Sequence, residues 1–273
     1  MIANSAPARP LPRGWRWVRL GEAIVAAQAG FACGERDPHG VVQLRMNNVD
    51  TRGRILWDEF IRVPATSDMV RRYQLLSGDV VFNNTNSTEL VGKSALFTGH
   101  AEPVVYSNHF TRLRVKPALL DPGYLADWLL MQWQLHVFEN LCNRWIGQSA
   151  INSIKLFALE CPLPPLPEQR RIAAILNEQM AAVERARTAS EAQLAAAKAL
   201  PAAYLRVVFE SEEARGWPRR RLGEVCHIVA RQVDPKVPEY GALPHVSGEN
   251  IETGTCRLLY LRSAAEDGMI SGK

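Results

Sequence analysis

A dense run of amide and hydroxyl side chains occupies residues 83–97, NNTNSTELVGKSALF. Its one cation lies in the tripeptide Gly92-Lys93-Ser94, which resembles the end of a phosphate-binding loop. Such a loop requires G-x-x-x-x-G-K-[S/T], because its first glycine lets backbone N–H groups surround the phosphates. Ser87 stands where that glycine is needed, and the residues after the lysine are typical of a strand rather than a helix. The pattern therefore argues against a nucleotide site.

The same side chains are suited to contact with DNA. Asn can form paired hydrogen bonds to adenine, and Ser and Thr can bind either bases or phosphates. The alternative is a turn-rich surface loop, because these residue types also stabilise turns by bonding to their own backbone. On this segment alone both interpretations stay open. The residues concerned follow a predicted strand and are Asn83, Asn84, Thr85, Asn86, Ser87 and Thr88.

The rest of the chain contains no recognisable catalytic or metal-binding pattern. G-x-S-x-G, H-E-x-x-H and G-x-G-x-x-G are absent, and the six histidines lack metal-ligand spacing. The five cysteines form no C-x-x-C pair, which is typical of reduced thiols in the cytoplasm. We therefore expect a non-catalytic chain that needs neither a cofactor nor a metal.

The composition is that of a globular protein in the cytoplasm. Hydrophobic residues make up 47% of the 273 positions and charged residues 22%, which allows one large domain or two ordinary ones. No signal-peptide core and no apolar run long enough to span a membrane is present. The net charge of +4 is compatible with nucleic acid but is too small to argue for it alone.

An internal repeat is the most informative feature of the organisation. The blocks GW and RLGE within residues 14–22 recur within residues 216–224, and NVDT at 48–51 recurs as NIET at 250–253. All the matches keep the same offset of 202 residues, which chance similarity rarely does. The chain is therefore expected to hold one complete unit and the opening third of a second.

The first unit is predicted to be a mixture of strands and helices. Asp121-Pro122 is typical of a helix start, with an N-cap residue followed by Pro at the first helical position. The apolar stripe of that helix is expected to be core. The segments that read as strands are 18–25, 41–46, 60–63, 79–82, 94–97, 103–106 and 110–115.

A long helix follows a proline-rich junction. No Gly or Pro interrupts residues 168–200, where Ala, Glu, Gln, Arg and Leu dominate, so the helix would be about 50 Å long. Pro201 is expected to break or kink it, with a short second helix at 201–209. The apolar and small side chains of the long helix suit antiparallel helix packing, although a solvated spacer helix is the alternative. The predicted packing residues are Ile172, Leu176, Met180, Val183, Leu194 and Ala197.

Taken together, these blocks resemble the specificity subunit of type I restriction-modification systems. The resemblance rests on LPRGWRWVRLGE, on PLPPLPEQRRIAAIL with the long helix after it, and on the second GW and RLGE. It implies an α/β (α+β) target-recognition domain at 1–165, one helix of an antiparallel coiled coil at 166–212, and a partial, truncated second recognition domain at 213–273. Each recognition domain of the family reads one half of a split DNA site.

The resemblance also implies roles for particular residues. The Asn-rich run would lie near DNA, with Lys93 contacting a phosphate and the Asn cluster contacting bases or backbone. A second candidate set lies at the end of a strand and comprises Arg45, Asn47 and Asn48. Turn formation is the alternative for the Asn47-Asn48 pair, because Asn pairs favour turns.

Partners follow from the same resemblance. They are double-stranded DNA, a methyltransferase (modification) subunit and a restriction and translocation subunit, with the chain itself supplying specificity rather than catalysis. Self-association through the long helix is expected, since its apolar face would otherwise meet water. Two other hypotheses stay open: a helical assembly protein that recruits methyltransferase subunits without binding DNA, and a nucleotide-binding enzyme that uses Lys93.

Overall fold

The computed structural model describes residues 11–227, 229 and 232–269. The chain divides into two compact units, residues 1–194 and residues 195–273. The strands of the first unit are β1 (Arg16–Arg19), β2 (Ile24–Ala29), β3 (Val41–Leu44), β4 (Ile61–Val63), β5 (Val80–Asn83), β6 (Thr85–Asn86), β7 (Ser94–Leu96), β8 (Val104–Tyr106), β9 (Phe110–Val115), β10 (Asn143–Trp145), β11 (Gln148–Ala150) and β12 (Glu160–Leu163).

The helices complete the first unit and begin the second. Those of the first unit are α1 (Leu20–Ala23), α2 (Ser67–Tyr73), α3 (Pro122–Gln134), α4 (Val137–Leu141), α5 (Ser153–Phe157) and α6 (Leu166–Phe209), the last of which continues into the second unit. The second unit adds α7 (Glu212–Arg215), α8 (Leu222–Val225), α9 (Pro238–Gly241), β13 (Pro244–His245) and β14 (Arg262–Ser263).

A four-stranded antiparallel sheet in the order β2-β9-β5-β7 lies at the centre of the first unit. Strand β5 is buried on both faces. Val80 and Phe82 pack into one core with helix α3, while Val81 packs into a second core with Val42 and Leu44 of β3. Side chains of a strand alternate between faces, so a continuous apolar run is required where both faces are covered. The strand that leads into the Asn-rich run is therefore held from both sides.

The second core lies beside a three-stranded sheet in the order β4-β3-β8. Strand β3 pairs antiparallel with β4 and parallel with β8. Two smaller sheets surround the central layers. Strand β1 pairs with β12, and the β10–β11 hairpin pairs through β11 with β6.

Most of the predicted strands are confirmed, but the segment 18–25 is not a single strand. A helical turn, α1, separates β1 from β2, and the backbone N–H of Leu20 donates to the carbonyl of Leu159 at 2.8 Å. Leu20 and Ala23 are both buried. Leu20 and Ala23 therefore reach the core from one helical turn. A search for alternating apolar and polar residues cannot distinguish such a turn from a strand.

The predicted start of α3 is confirmed. The Asp121 carboxylate accepts hydrogen bonds from the N–H groups of Gly123 and Tyr124 at 2.9 and 3.1 Å. The N–H of Asp121 in turn donates to the side-chain carbonyl of Gln169 at 2.8 Å. Gln169 is fully buried and its amide also donates to the carbonyls of Leu119 and Pro164. One glutamine side chain thus fixes the beginning of α6 to the domain before it.

The long helix extends beyond the predicted range at both ends. Helix α6 comprises 44 residues and continues through Pro201, so the predicted break and the separate helix at 201–209 are wrong. Proline removes one backbone hydrogen bond and crowds the preceding turn. Here the residue four positions earlier is Ala197 and the two that follow Pro201 are also alanines, so good helix formers continue on both sides.

The internal repeat is visible as repeated local structure. Helix α8 matches α1 at the predicted offset, and the 3-10 turn Gly248–Asn250 matches the turn Met46–Asn48. The side-chain oxygen of Asn48 accepts from the N–H of Arg45 at 3.0 Å, and that of Asn250 accepts from the N–H of Ser247 at 2.6 Å. Both asparagines are buried. The repeated asparagine therefore serves the same capping purpose in each copy.

Asp127 of α3 faces α6 at the junction of two cavities of about 790 and 530 Å³. Its Oδ2 is buried and has no hydrogen-bond partner in the described part of the chain. Burial, followed by the nearby charge of Asp121, raises the pKa of Asp127 to about 6. The ionised carboxylate is thus poorly accommodated at neutral pH.

We expect Asp127→Asn to stabilise the chain at pH 7 and not at pH 4. An unfolded Asp ionises near pH 4, so between about 4 and 6 the folded state binds more protons and stability falls as pH rises. Asparagine removes that loss. Thermal unfolding measured across this pH range checks the prediction, with Asp68→Asn on the exposed side of α2 as control. An equal effect of Asp127→Asn at pH 4 and pH 7 would contradict it.

Candidate nucleic-acid interface

The Asn-rich run does not form a free loop. Strand β5 ends at Asn83, and Thr85 and Asn86 form the short strand β6 against Ala150 and Ser149 of β11. The hydroxyl groups of Thr88 and Ser149 are 2.8 Å apart, and the N–H of Ile151 donates to the carbonyl of Asn84. The run is therefore anchored on the β10–β11 hairpin.

Asn83 is a structural residue rather than a DNA contact. Its side chain is fully buried, with the amide donating to the carbonyls of Thr85 at 3.1 Å and His109 at 2.9 Å. Its side-chain oxygen accepts from the amide of Asn86 at 2.7 Å. Because every polar group of this side chain is satisfied inside the protein, the predicted DNA contact at Asn83 is wrong.

Asn84, Thr85, Asn86 and Ser87 are all partly exposed. The Asn84 amide donates to the Thr111 hydroxyl at 3.0 Å, and its oxygen accepts from the Thr85 hydroxyl at 2.7 Å. The oxygen of Asn86 accepts from the N–H of Ser87 at 2.8 Å. Each amide is thus held in a fixed orientation, and unlike Asn83 each of these residues is only partly buried. These four residues remain predicted DNA contacts.

The lysine of the Gly-Lys-Ser tripeptide is buried. Lys93 Nζ donates to the carbonyl of Val49 at 2.5 Å and to that of Met46 at 3.3 Å, and only 7% of the residue is exposed. Burial lowers the pKa of this lysine, an effect that the charge of Asp50 opposes. The predicted phosphate contact at Lys93 is therefore wrong, because the ammonium points into the protein and is occupied there.

The glycine beside it has a packing role as well. Gly92 has a φ of +90°, and a Cβ atom there would lie 2.4 Å from the ring of Phe138. Only glycine combines that backbone conformation with that close approach. The resemblance to a phosphate-binding loop is thus a coincidence of two local packing requirements.

The second predicted set divides in the same way. Asn48 is buried, and its amide donates to the carbonyls of Leu56 at 3.3 Å and Glu59 at 2.6 Å, so a DNA contact at Asn48 is wrong. Asn48 thus has the turn-forming role that was the alternative to a DNA contact. Asn47 is exposed and Arg45 is partly exposed, and both remain predicted contacts.

The turn between β8 and β9 connects the two sets. Asn84 donates through its backbone N–H to the carbonyl of His109 at 2.9 Å, and through its side chain to the carbonyl of Asn108 at 3.3 Å. Asn108 and His109 also line a small cavity together with Arg45. One member of each set, Asn84 and Arg45, therefore lies beside the same turn.

The β10–β11 hairpin adds residues that sequence reasoning missed. Trp145 is 61% exposed and Ile146 is fully exposed, and Gly147 completes the turn with a φ of +76°. Arg144 lies beside them on β10. The signal for this hairpin was the sequence RWIGQ, in which a glycine follows two large apolar residues. A glycine at such a position is typical of a tight hairpin turn.

The predicted helix-packing residues differ in exposure. Ile172 is partly buried against the core of the first unit, so it is not part of a free face. Leu176 and Met180 are 36% and 38% exposed, whereas Val183 and Leu194 are 68% and 56% exposed. Ala197 is exposed as well. An apolar stripe therefore remains in water along α6 from Leu176 onward.

One carboxylate ties α6 to the domain beside the second predicted set. Glu184 pairs with Arg52 at 2.6 Å and with Arg54 at 3.3 Å, and Arg187 of the same helix binds it at 2.6 Å. The hydrogen bonds from Arg187 and the neighbouring charges lower the pKa of Glu184 to about 2. The loop that follows Asn47 and Asn48 is thereby positioned on the helix.

The described residues offer no obvious alternative chemistry. Among them, no three His, Cys, Asp or Glu side chains are grouped so as to hold a metal ion. In the same part of the chain, no helix is both long and apolar enough to cross a lipid bilayer.

Comparison with known proteins agrees with this architecture of a recognition domain followed by a long helix. The family model described as type I restriction modification DNA specificity domain matches residues 47–191, just over half of the chain. The crystal structure of the HsdS subunit from Thermoanaerobacter tengcongensis superposes with a TM-score of 0.56 at 26% identity, covering 94% of this chain and 67% of that one.

Two curated relatives are similar in sequence. A putative type I restriction enzyme MjaX specificity subunit of Methanocaldococcus jannaschii is 36% identical over 109 residues, 40% of this chain and 26% of that protein. The type I restriction enzyme StySPI specificity subunit of Salmonella potsdam is 23% identical over 206 residues, 75% of this chain and 44% of that protein. The chain thus spans less than half the length of either relative.

The class defined by the fold is a mixed α/β recognition domain whose last strand leads into one long helix. The chain belongs to the family of type I restriction-modification DNA specificity domains. The family and fold class that the sequence implied are thereby confirmed.

We expect Lys93→Met to destabilise the fold rather than remove a DNA contact. The carbonyls of Met46 and Val49 would lose their buried partner, which costs about 2 kcal/mol of unfolding free energy. Chemical denaturation measures this loss, and Lys116→Met, at an exposed position after β9, is the control. A Lys93→Met chain of unchanged stability that binds duplex DNA more weakly would restore the phosphate contact.

Proposed function

We propose that this chain recognises a specific sequence of double-stranded DNA as part of a type I restriction-modification system. The observation that carries the proposal is that Asn84 and Arg45 both lie against the turn Asn108–His109 in a chain of this family. The neighbouring polar residues Thr85, Asn86 and Ser87 are partly exposed, and Asn47 is exposed. Amide and hydroxyl groups at a protein surface can read base edges by exchanging internal hydrogen bonds for bonds to a base, whereas cations mainly contact phosphates.

The domain organisation of this proposal is the one expected from the sequence. Residues 1–165 are the target-recognition domain, 166–212 the spacer helix, and 213–273 belong to a second recognition domain. The recognition domain reads one half of a split site, and the helix receives methyltransferase subunits, with a restriction and translocation subunit completing the complex. The named relatives are specificity subunits, which supports a non-catalytic role. The cytoplasmic location remains a prediction.

A second candidate function is a helical assembly protein that recruits methyltransferase subunits without binding DNA. The exposed apolar residues Val183 and Leu194 on α6 favour an assembly role. Duplex binding separates the two functions, because counterion release makes DNA affinity fall steeply with salt. A chain that binds no duplex at low salt and still captures a methyltransferase subunit would support the second candidate over the first.

Substitution of Asn84 or Asn86 is expected to change sequence preference rather than overall affinity. Each good paired contact to a base contributes about 1–3 kcal/mol of discrimination against a wrong base. Selection of binding sequences from a random duplex pool, with wild-type chain and with Asn84→Ala or Asn86→Ala, measures the change. Asn47→Ala tests the second set in the same way.

The control for these variants is Gln193→Ala on the exposed side of α6, which should select the same sequences as the wild type. Identical selected sequences for wild type and all three asparagine variants would contradict the assignment of this surface to base recognition.

Self-association through α6 is a further expected property. Burial of exposed apolar surface yields about 25 cal/mol per Å², so pairing the stripe from Leu176 to Leu194 with a second copy favours a two-fold dimer. Light scattering of the purified chain measures its mass. Leu176→Glu with Val183→Glu should give a monomer, whereas Ile154→Glu, an 81% exposed control on α5, should not change the mass. A wild-type monomer at micromolar concentration would exclude the dimer.

A further inference from the structure

A small polar cavity of about 230 Å³ lies at the edge of the proposed DNA surface. Cys33, Arg45, Ser107, Asn108 and His109 are among its lining residues. They come from three separate places: the segment after β2, the residue after β3, and the turn between β8 and β9. The cavity therefore exists only because the fold brings three strand ends together.

A close backbone approach lies next to the lining residues of this cavity. A Cβ atom at Gly30 would lie 2.2 Å from the carbonyl oxygen of Tyr106 and 2.3 Å from that of Ser107, so only glycine fits there. The N–H of Phe31 donates to the carbonyl of Tyr106 at 3.2 Å, and that of Ser107 donates to the carbonyl of Leu44 at 2.9 Å. The walls are thus fixed by main-chain bonds.

Two polar atoms of the cavity's lining residues lack partners in the described part of the chain. Ser107 is only 4% exposed, and its hydroxyl has no hydrogen-bond partner among the described residues. The same holds for Nδ1 of His109. Leaving a buried polar group unpaired costs about 1–3 kcal/mol, so such groups on residues that line a cavity favour a ligand towards which they can turn.

The cavity also favours negative charge. Within the described chain, the guanidinium of Arg45 forms no ion pair, and none of the lining residues is acidic. A guanidinium, a hydroxyl and an imidazole N–H are all donors to an oxyanion. An apolar or cationic ligand would leave these donors unsatisfied.

We infer that this cavity holds one phosphate of the DNA backbone, bound by Arg45, Ser107 and His109. The inference rests on the proposed function and adds to it the contact that fixes the position of the duplex. Asn84 is bonded to both Asn108 and His109, so a phosphate held here lies beside the base-reading residues. Phosphate contacts of this kind set register while base contacts supply sequence information.

The first test is the salt dependence of binding to a duplex selected from a random pool by the wild-type chain. Arg45→Ala should weaken binding about ten-fold, by a similar factor for selected and unselected duplexes, and reduce the salt slope by about 1. Ser107→Ala should weaken binding several-fold without lowering the melting temperature, because its hydroxyl has no hydrogen-bond partner among the described residues. Arg71→Ala, at an exposed arginine of α2, is the matched control and should retain wild-type affinity.

The second test locates the phosphate. Replacing single phosphates of the selected duplex with neutral methylphosphonates should weaken wild-type binding most at one position of each half-site. The Arg45→Ala chain should lose nothing further at that position, since the contact is already absent. Inorganic phosphate should compete only weakly, because it lacks the neighbouring base contacts.

Three outcomes would overturn the inference. If Arg45→Ala changes the selected sequence and leaves the salt slope intact, Arg45 contacts a base instead of a phosphate. If methylphosphonate losses are equally large in wild type and Arg45→Ala, the phosphate lies elsewhere while DNA recognition stands. A wild-type chain that binds no duplex would overturn this inference together with the proposed function.

Discussion

The buried ammonium of Lys93 is the interaction on which the polar surface of the first unit depends. The Lys93 side chain extends from the segment between β5 and β7. Its ammonium donates to the carbonyls of Met46 and Val49, at either end of the turn that carries Asn47. Two segments distant in sequence are thereby held together. Burying a cation is costly unless its donors are satisfied, and Asp50 lies near enough to favour the charge. A lysine paired in this way holds the turn in one conformation.

Around that contact the polar residues divide into those that build the surface and those that can use it. Asn48 and Asn83 are buried, and their side-chain amides donate hydrogen bonds to backbone carbonyls of neighbouring segments. Asn84 and Arg45 are partly exposed and border the turn between β8 and β9. Asn86 is partly exposed as well. Orienting a side chain before binding lowers the entropy lost on contact with DNA. The buried asparagines thus contribute to recognition indirectly, by fixing their exposed neighbours.

Sequence reasoning succeeded where a pattern is local. The Asp121-Pro122 helix start, the long helix and the 202-residue repeat all follow from spacing and capping chemistry that tertiary contacts do not override. It failed where burial decides the role. Nothing in the sequence distinguishes Asn83 from Asn84, because whether an amide faces His109 or solvent depends on pairing between β5, β6 and β11. Lys93 was misassigned for the same reason: a lysine is usually exposed, and its partners lie 44 and 47 residues away.

Hydrogen–deuterium exchange with and without a selected duplex tests most directly whether this surface binds DNA. Duplex should slow exchange of the backbone amides in residues 45–47, 84–87 and 107–109, which come from three separate strand ends. The amides of β1 and β12, which pair with each other away from these segments, should be unaffected. Protection in all three segments at once is the predicted result. Protection confined to α6, with those segments unchanged, would contradict the account, because the duplex would then bind the helix instead of this surface.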